Sequence, residues 1–356
     1  MSATTVYILG AGCSVKYGYP LAANFVPAFE SFSRSLGGDA QKLKQAVDET
    51  VMLMREANVQ TVDELVFRIH NRALDAPEHQ STQAYGVRIR RILRAKIATA
   101  ALFLALEQRA KAETLDSYQH LIRKIFPGSG DWQQRFRETR CHLLTFNYDR
   151  LFEMALLRIF GIDADTQLLY GEDILNSGLH HCMGDSMGFR DDRFCFLKLH
   201  GAVGMRIHEE HGQPRYYPYA DGAKPGEKIE LNDERFFAKS ANPLPQDRDP
   251  EPLIVFPFEK DFVRSGSPNQ LAFREYIAAI WKQAERVVES ATEIWFIGYS
   301  FAMMDRTAVI NLLAHAKKCR RLVIQNQPGQ AERICRMLSV EHPEIAISLV
   351  PYGSEF

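Results

Sequence analysis

From Glu293 to the C-terminal end the chain alternates short apolar runs with helical stretches. Glu293–Ile297 (EIWFI), Arg321–Gln325 (RLVIQ) and Ile345–Val350 predict strands, and Arg306–Lys318 and Gln330–Glu341 predict the helices between them. Strands joined by helical crossovers run parallel, because a tight hairpin cannot return the chain to the same end of a sheet. A parallel sheet is buried on both faces, so its strands read as continuous apolar runs, as these do. The implied fold class is α/β: a Rossmann-like, doubly wound parallel sheet. Three more strands are expected upstream. Thr5–Leu9 (TVYIL) stops at Gly10, and His142–Phe146 and Phe194–Leu199 follow much later.

Between the first two strands the texture changes. From Leu21 to about Arg140 the residues Ala, Leu, Gln, Glu and Arg dominate. Ile89, Ile92, Leu93, Ile97, Ala100, Ala101 and Leu104 form one helical stripe, and Val62, Leu65, Val66 and Ile69 form another. Thr61 with Glu64 three residues on has the form of a capping box. The expected organisation is a sheet domain built from 1–20 and 141–356, with 21–140 as a large all-helical insertion. The run Arg88, Arg90, Arg91, Arg94 and Lys96 predicts a solvated helix face. Between Arg206 and Pro252, Pro, Gly, Asp and Tyr are frequent, which predicts loops and a small hairpin. Tyr216, Tyr217, Pro218 and Tyr219 fit either a lid or a surface hairpin.

Charge narrows the function. Among 356 residues, 43 Lys and Arg balance 44 Asp and Glu, so the net charge is −1. Such a chain has no general attraction to phosphate backbones, and direct nucleic-acid binding is not expected. The opening MSATTVYILGAG has neither a basic nor a long apolar signal region, and no apolar run is long enough to span a bilayer. The six cysteines, Cys13, Cys141, Cys182, Cys195, Cys319 and Cys335, contain no C-x-x-C pair. They fit thiols of a cytoplasmic protein, with no zinc expected. His208-Glu209-Glu210-His211 fails the H-E-x-x-H spacing. His180, His181, Cys182 and Asp185 show no ligand spacing either.

Five motifs sit at the expected carboxyl ends of strands, the edge where open α/β sheets bind ligands. They are G-A-G-C-S-V-K-Y-G-Y-P (Gly10–Pro20), T-F-N-Y-D (Thr145–Asp149), K-L-H-G (Lys198–Gly201), G-Y-S-F-A-M-M-D (Gly298–Asp305) and Q-N-Q (Gln325–Gln327). Gly10 and Gly12 suit a turn that comes close to an anion. The dehydrogenase fingerprint needs a third glycine where Val15 stands, so G-x-G-x-x-G fails.

In this order the motifs resemble the sirtuin family of NAD-consuming enzymes, and most closely its bacterial branch of NAD-cleaving anti-phage effectors. The resemblance implies that Gly10, Ala11, Gly12 and Ser14 meet the pyrophosphate. It implies that Asn147 and Asp149 form the nicotinamide and ribose pocket, and that His200 is the catalytic histidine. Gly298 and Ser300 match a turn that contacts phosphate or ribose, and Asn326 a residue near the adenine ribose. Asp305 would have a structural or capping role. The four-cysteine zinc module of the deacylases has no counterpart, and Tyr19-Pro20 runs into Leu21-Ala22-Ala23 where they carry a Phe-Arg pair.

The implied function is an NAD glycohydrolase that uses NAD as substrate, giving nicotinamide and ADP-ribose and depleting the cofactor in antiviral defence. Asn147 would hold a water or a ribose hydroxyl, and His200 would polarise that hydroxyl or take the water's proton. Unrestrained turnover would exhaust a cell's NAD. The expected partners are therefore further copies in a homo-oligomer and a second defence protein such as an ATPase or helicase, with no membrane involved. Two alternatives stay open: an NAD-dependent protein deacylase or ADP-ribosyltransferase, and a non-catalytic nucleotide-sensing scaffold.

Overall fold

A computed structural model describes residues 3–21, 24–71, 82–129, 131–161, 194–210, 213–217, 225–237, 251–256 and 268–352. The chain divides into two compact units. One comprises Met1–Tyr17, Ala110–Gly201 and Arg274–Phe356; the other comprises Gly18–Arg109 and Ala202–Phe273.

The first unit contains the parallel sheet. Its strands are β1 (Thr5–Leu9), β2 (Cys141–Thr145), β3 (Phe196–Lys198), β7 (Glu293–Ile297), β8 (Arg321–Asn326) and β9 (Ala346–Pro351). Their order is β3-β2-β1-β7-β8-β9, all parallel. The order reverses beside β1, which is the signature of a doubly wound sheet. Val6, Ile8, Leu143, Leu144, Leu197, Ile294, Leu322 and Ile324 are fully buried, as strands covered on both faces require. The helices of this unit are α5 (Asp116–Ile125), α6 (Trp132–Glu138), α7 (Leu151–Phe160), α9 (Pro268–Ser290, whose first turn lies in the other unit), α10 (Met303–Leu313) and α11 (Pro328–Glu341). Gly161 ends α7 in the left-handed conformation, φ 61°.

The second unit holds α1 (Phe25–Ser35), α2 (Gln41–Glu56), α3 (Val62–Asn71), α4 (Thr82–Arg109) and α8 (Asp233–Phe236). It also holds a small sheet of β4 (Gly201–Glu210), β5 (Gln213–Tyr217) and β6 (Glu251–Ile254), in the order β5-β4-β6. Every described regular element within 21–140 is helical. By packing, however, the division falls at 109/110, and the stretch after β3 joins the helices. The reason is that the segment of α5 and α6 packs its aromatic side chains in the sheet unit: Phe126, which caps α5, stacks on Phe136 at 4.4 Å and meets Phe194 edge-on at 4.7 Å.

The cap of α3 forms as expected at one end: Thr61 Oγ1 accepts from Glu64 N at 3.1 Å. Glu64 Oε2 reaches back one residue further than in the standard box, to Gln60 N at 3.0 Å. The basic run on α4 is not wholly solvated. Arg94 pairs with Glu49, whereas Lys96 is buried with its ammonium 6.0 Å from the Phe256 ring. The helix turns that position into the core, where the long aliphatic stem packs. The expected hairpin is β4–β5, with His208 opposite Arg215 and with Tyr216 and Tyr217 in β5. His180, His181, Cys182, Asp185, His211, Pro218 and Tyr219 lie outside the described residues.

One core histidine sets a pH dependence. His142 on β2 is buried, and its Nδ1 accepts from Cys195 N at 3.2 Å. Burial, aided by the charge of Arg140, depresses its pKa to about 4. The fold holds the neutral ring, so the unfolded chain takes up this proton first, near the ordinary value of about 6.5. Stability from this group is complete above that value and is lost as pH falls towards 4. The expected loss is about 1 kcal/mol by pH 5.5 and about 3 kcal/mol by pH 4. Urea unfolding of the wild type and of His142→Gln across this range measures it; parallel pH profiles would contradict it.

Candidate active site

The strand register brings the motifs into one row. Lys198, Thr145, Leu9, Ile297 and Gln325 are partners across five strands. One residue further on stand Leu199, Phe146, Gly10, Gly298 and Asn326. The loops that carry His200, Asn147, the glycine turn, Ser300 and Asn326 therefore leave the sheet at one edge, on both sides of the β1/β7 switch point.

The glycines answer to backbone contact. Gly10 N donates to Ile297 O at 3.0 Å and Gly12 N to Gly298 O at 2.9 Å, so the loops after β1 and β7 touch main chain to main chain. A Cβ on Gly12 would lie 2.7 Å from Gly298 O, and one on Gly10 would lie 2.5 Å from Tyr299 Cα. Gly298 itself has φ +60°. Phe301, also left-handed at φ 52°, completes the bend into α10 and packs on Phe296 and Tyr299. Ala11 and Ser300 are exposed at this edge, and Ser300 O accepts from Arg333.

Below the turn lies a buried polar network. Ser14 Oγ donates to Asp149 Oδ2 at 2.6 Å and lies 2.9 Å from Tyr118 OH and 3.3 Å from Asn147 Nδ2. A hydroxyl has one proton and two lone pairs. Ser14 gives its proton to Asp149, so Tyr118 must donate to it. Burial, reinforced by the Asp149 charge, lifts the Tyr118 phenol well above its ordinary pKa and keeps that proton in place. With Tyr118 and Asn147 both donating, Ser14 has no capacity left for the pyrophosphate contact the resemblance implies. Asp149 is similarly engaged: its Oδ1 accepts from Leu151 N at 3.2 Å and opens α7.

Asn147 spends both amide hydrogens within the protein, on Gly10 O at 3.1 Å and on Ser14 Oγ. With both hydrogens so used, the amide has only its acceptor Oδ1 left to offer a ligand. Asn326 ties two loops, donating to Tyr299 O at 2.8 Å while its Oδ1 accepts from Gln327 N at 2.9 Å. Lys198, buried, donates to Glu153 Oε1 at 2.8 Å and to Asp149 O. Burial raises the Glu153 carboxyl, and the lysine charge opposes that rise. Such a pair is expensive to split but is weak evidence of stabilisation. Its visible effect is to pin the Asp149 main chain.

His200 sits beside this network. Its ring meets Phe146 edge-on at 5.0 Å, and Phe146 stacks on Tyr299 at 4.5 Å. Its Nε2 lies 3.2 Å from Asp305 Oδ1. Burial lifts the Tyr299 phenol well above its usual range, with the Asp305 charge adding to it. Gly10, Asn147, Ser14 and Asp149 are thus joined by direct hydrogen bonds, as are Gly12 and Gly298, while His200 reaches the Asn326 loop only through the rings of Phe146 and Tyr299. Sequence reasoning missed Tyr118, Glu153 and the partner of His200. Tyr118 stands in a helix with no motif, and only the fold brings it under the turn. Among the described residues no group of three His, Cys, Asp or Glu could hold a metal ion. None of the described helices is long and apolar enough to cross a membrane.

No family model and no curated protein sequence matches the chain. Similar solved structures include one from a study of the structural basis of sirtuin substrate affinity, 12% identical over 99% of this chain and 89% of that chain, with TM-score 0.39. A Sir2 homolog–NAD complex is 13% identical over 97% and 82%, with TM-score 0.40. Sir2Tm bound to a propionylated peptide is 14% identical over 96% and 94%, with TM-score 0.36. Likeness at this distance assigns no residue, and the roles below rest on this chain's own geometry.

Proposed function

We propose that this chain is a sirtuin-like NAD glycohydrolase, an NAD-depleting effector of anti-phage defence that works in the cytoplasm as a homo-oligomer restrained by a partner protein. The observation that supports the enzymatic part is the strand register, which sends the loops carrying the glycine turn, Asn147 and His200 off the same edge of the sheet, with Asn147 bonded to Gly10.

The chemistry asks little acid catalysis of the protein. Nicotinamide leaves as a neutral base from a cationic pyridinium, and the ribose passes through an oxocarbenium-like state. Water adds at that carbon and loses one proton, giving nicotinamide, ADP-ribose and H⁺. The protein must hold the ribose and place the water. Asn147 Oδ1 accepts from the water or from a ribose hydroxyl. His200 takes the released proton. With Ser14 committed inside the fold, the dinucleotide's phosphates are assigned to the exposed main chain at Ala11 and to Ser300 across the turn. Asp149 acts by holding Ser14, and so Asn147, in place.

Incubation of the purified chain with NAD, with and without an acetylated peptide, tests this reading. Equimolar nicotinamide and ADP-ribose without peptide are expected. Release that requires the peptide would point to a deacylase. NAD binding without release would point to a sensing scaffold.

A further inference from the structure

We infer that Asp305 is the positioning residue of His200, fixing the proton of the resting imidazole on Nε2 and leaving the lone pair on Nδ1. The two residues follow different strands, His200 in the turn after β3 and Asp305 in the first turn of α10, and both are buried. Nε2 stands 3.2 Å from Asp305 Oδ1. That oxygen is buried and has no hydrogen-bond partner among the described residues, so the distance to Nε2 is right for a hydrogen bond while the angle falls short. A buried carboxylate oxygen in this state calls for a donor, and the imidazole is the donor at hand.

Hydrogen counting gives the tautomer. A neutral imidazole has one N–H and one lone pair, and a carboxylate accepts without donating. The nitrogen that faces Asp305 therefore carries the hydrogen. The first turn of α10 favours a negative charge there through its free amides. Phe146 meets the ring edge-on at 5.0 Å and Tyr148 lies tilted to it at 6.1 Å. A small tilt of the ring would bring the approach to full hydrogen-bond geometry, a tightening common when an active site is loaded. When Nδ1 takes up a proton, Nε2–H stays on Asp305, and the carboxylate faces the imidazolium formed.

The chemical consequence rests on the NAD glycohydrolase reading; the tautomer does not. Histidine labelled with ¹⁵N, with His200→Gln to assign the signal, reports the tautomer in alkaline solution. The Nε2–H form is expected in the wild type, and Asp305→Asn, whose amide can also donate, should shift it towards Nδ1–H. In turnover, Asp305→Asn should lower kcat about tenfold to a hundredfold with KM within about twofold, and Asp305→Glu should recover part of the loss. A wild-type Nδ1–H form overturns the inference, as does an Asp305→Asn protein with unchanged tautomer and kcat. If the wild type releases no nicotinamide, the glycohydrolase reading falls, and the ¹⁵N signal alone decides the role of Asp305.

Discussion

Replacing His200 or Asn147 with alanine is expected to lower nicotinamide release from NAD by about 10²–10⁴-fold, the range for losing a general base or a preorganised polar group. The two variants should differ in stability. Asn147→Ala removes the donor to Gly10 O and one donor to Ser14, so the buried network loses two bonds and about 1–3 kcal/mol. His200→Ala removes a ring that packs on Phe146 and faces Asp305, but among the described residues it breaks no hydrogen bond to the main chain. Turnover and urea unfolding measured on the same samples separate the two effects. A His200→Ala protein that is well folded and nearly inactive is the expected result. Unchanged turnover in both variants would refute the assignment.

Gly298→Ala should be the most damaging single methyl group in the sheet unit. The residue is left-handed at φ +60°, which costs a non-glycine about 1–2 kcal/mol. The added Cβ would lie 2.6 Å from Cys13 N and 2.8 Å from Gly12 C, both main-chain atoms with no rotamer to escape by. Overpacking of this kind costs a further 1–3 kcal/mol, roughly. The loops after β1 and β7 must then part, and the hydrogen bond from Gly12 N to Gly298 O goes with them. An unfolding free energy lower by about 2–5 kcal/mol is expected, together with loss of NAD turnover. Gly329→Ala is the control, since a Cβ there meets nothing within 4 Å.

The sheet was legible because burial on both faces leaves unbroken apolar runs. Thr5–Leu9 and Glu293–Ile297 are strands over the very residues expected. The ends of other elements moved by a few residues. Pro328 starts α11 two residues before Gln330, as suits proline in a first turn. The helical character of 21–140 was legible from its period. Its affiliation was not, because one amphipathic helix looks much like another until its partner is known: α5 reads like α3, yet its Tyr118 lies under Ser14 in the sheet unit.

At the candidate site, the motifs picked out positions that the fold carries to one sheet edge, and how their side chains are engaged was not legible. The motifs named Ser14, Asn147, Asp149, His200 and Asp305 from local strings. Ser14 being saturated by three partners, and Asp305 facing His200, are relations between positions more than 100 residues apart, which no local string carries. The same holds for Gly10, Gly12 and Gly298. A turn beside an anion was the reading from the string, and close packing between two loops is what the fold adds.

The most direct measurement is a crystal structure of His200→Ala grown with NAD. An intact dinucleotide is expected over the β1/β7 switch point, its pyrophosphate against the turn at 10–12 and its nicotinamide ribose within hydrogen-bond reach of Asn147 Oδ1. NAD bound elsewhere on the chain, or lying over the switch point with its ribose turned away from positions 147 and 200, would contradict it.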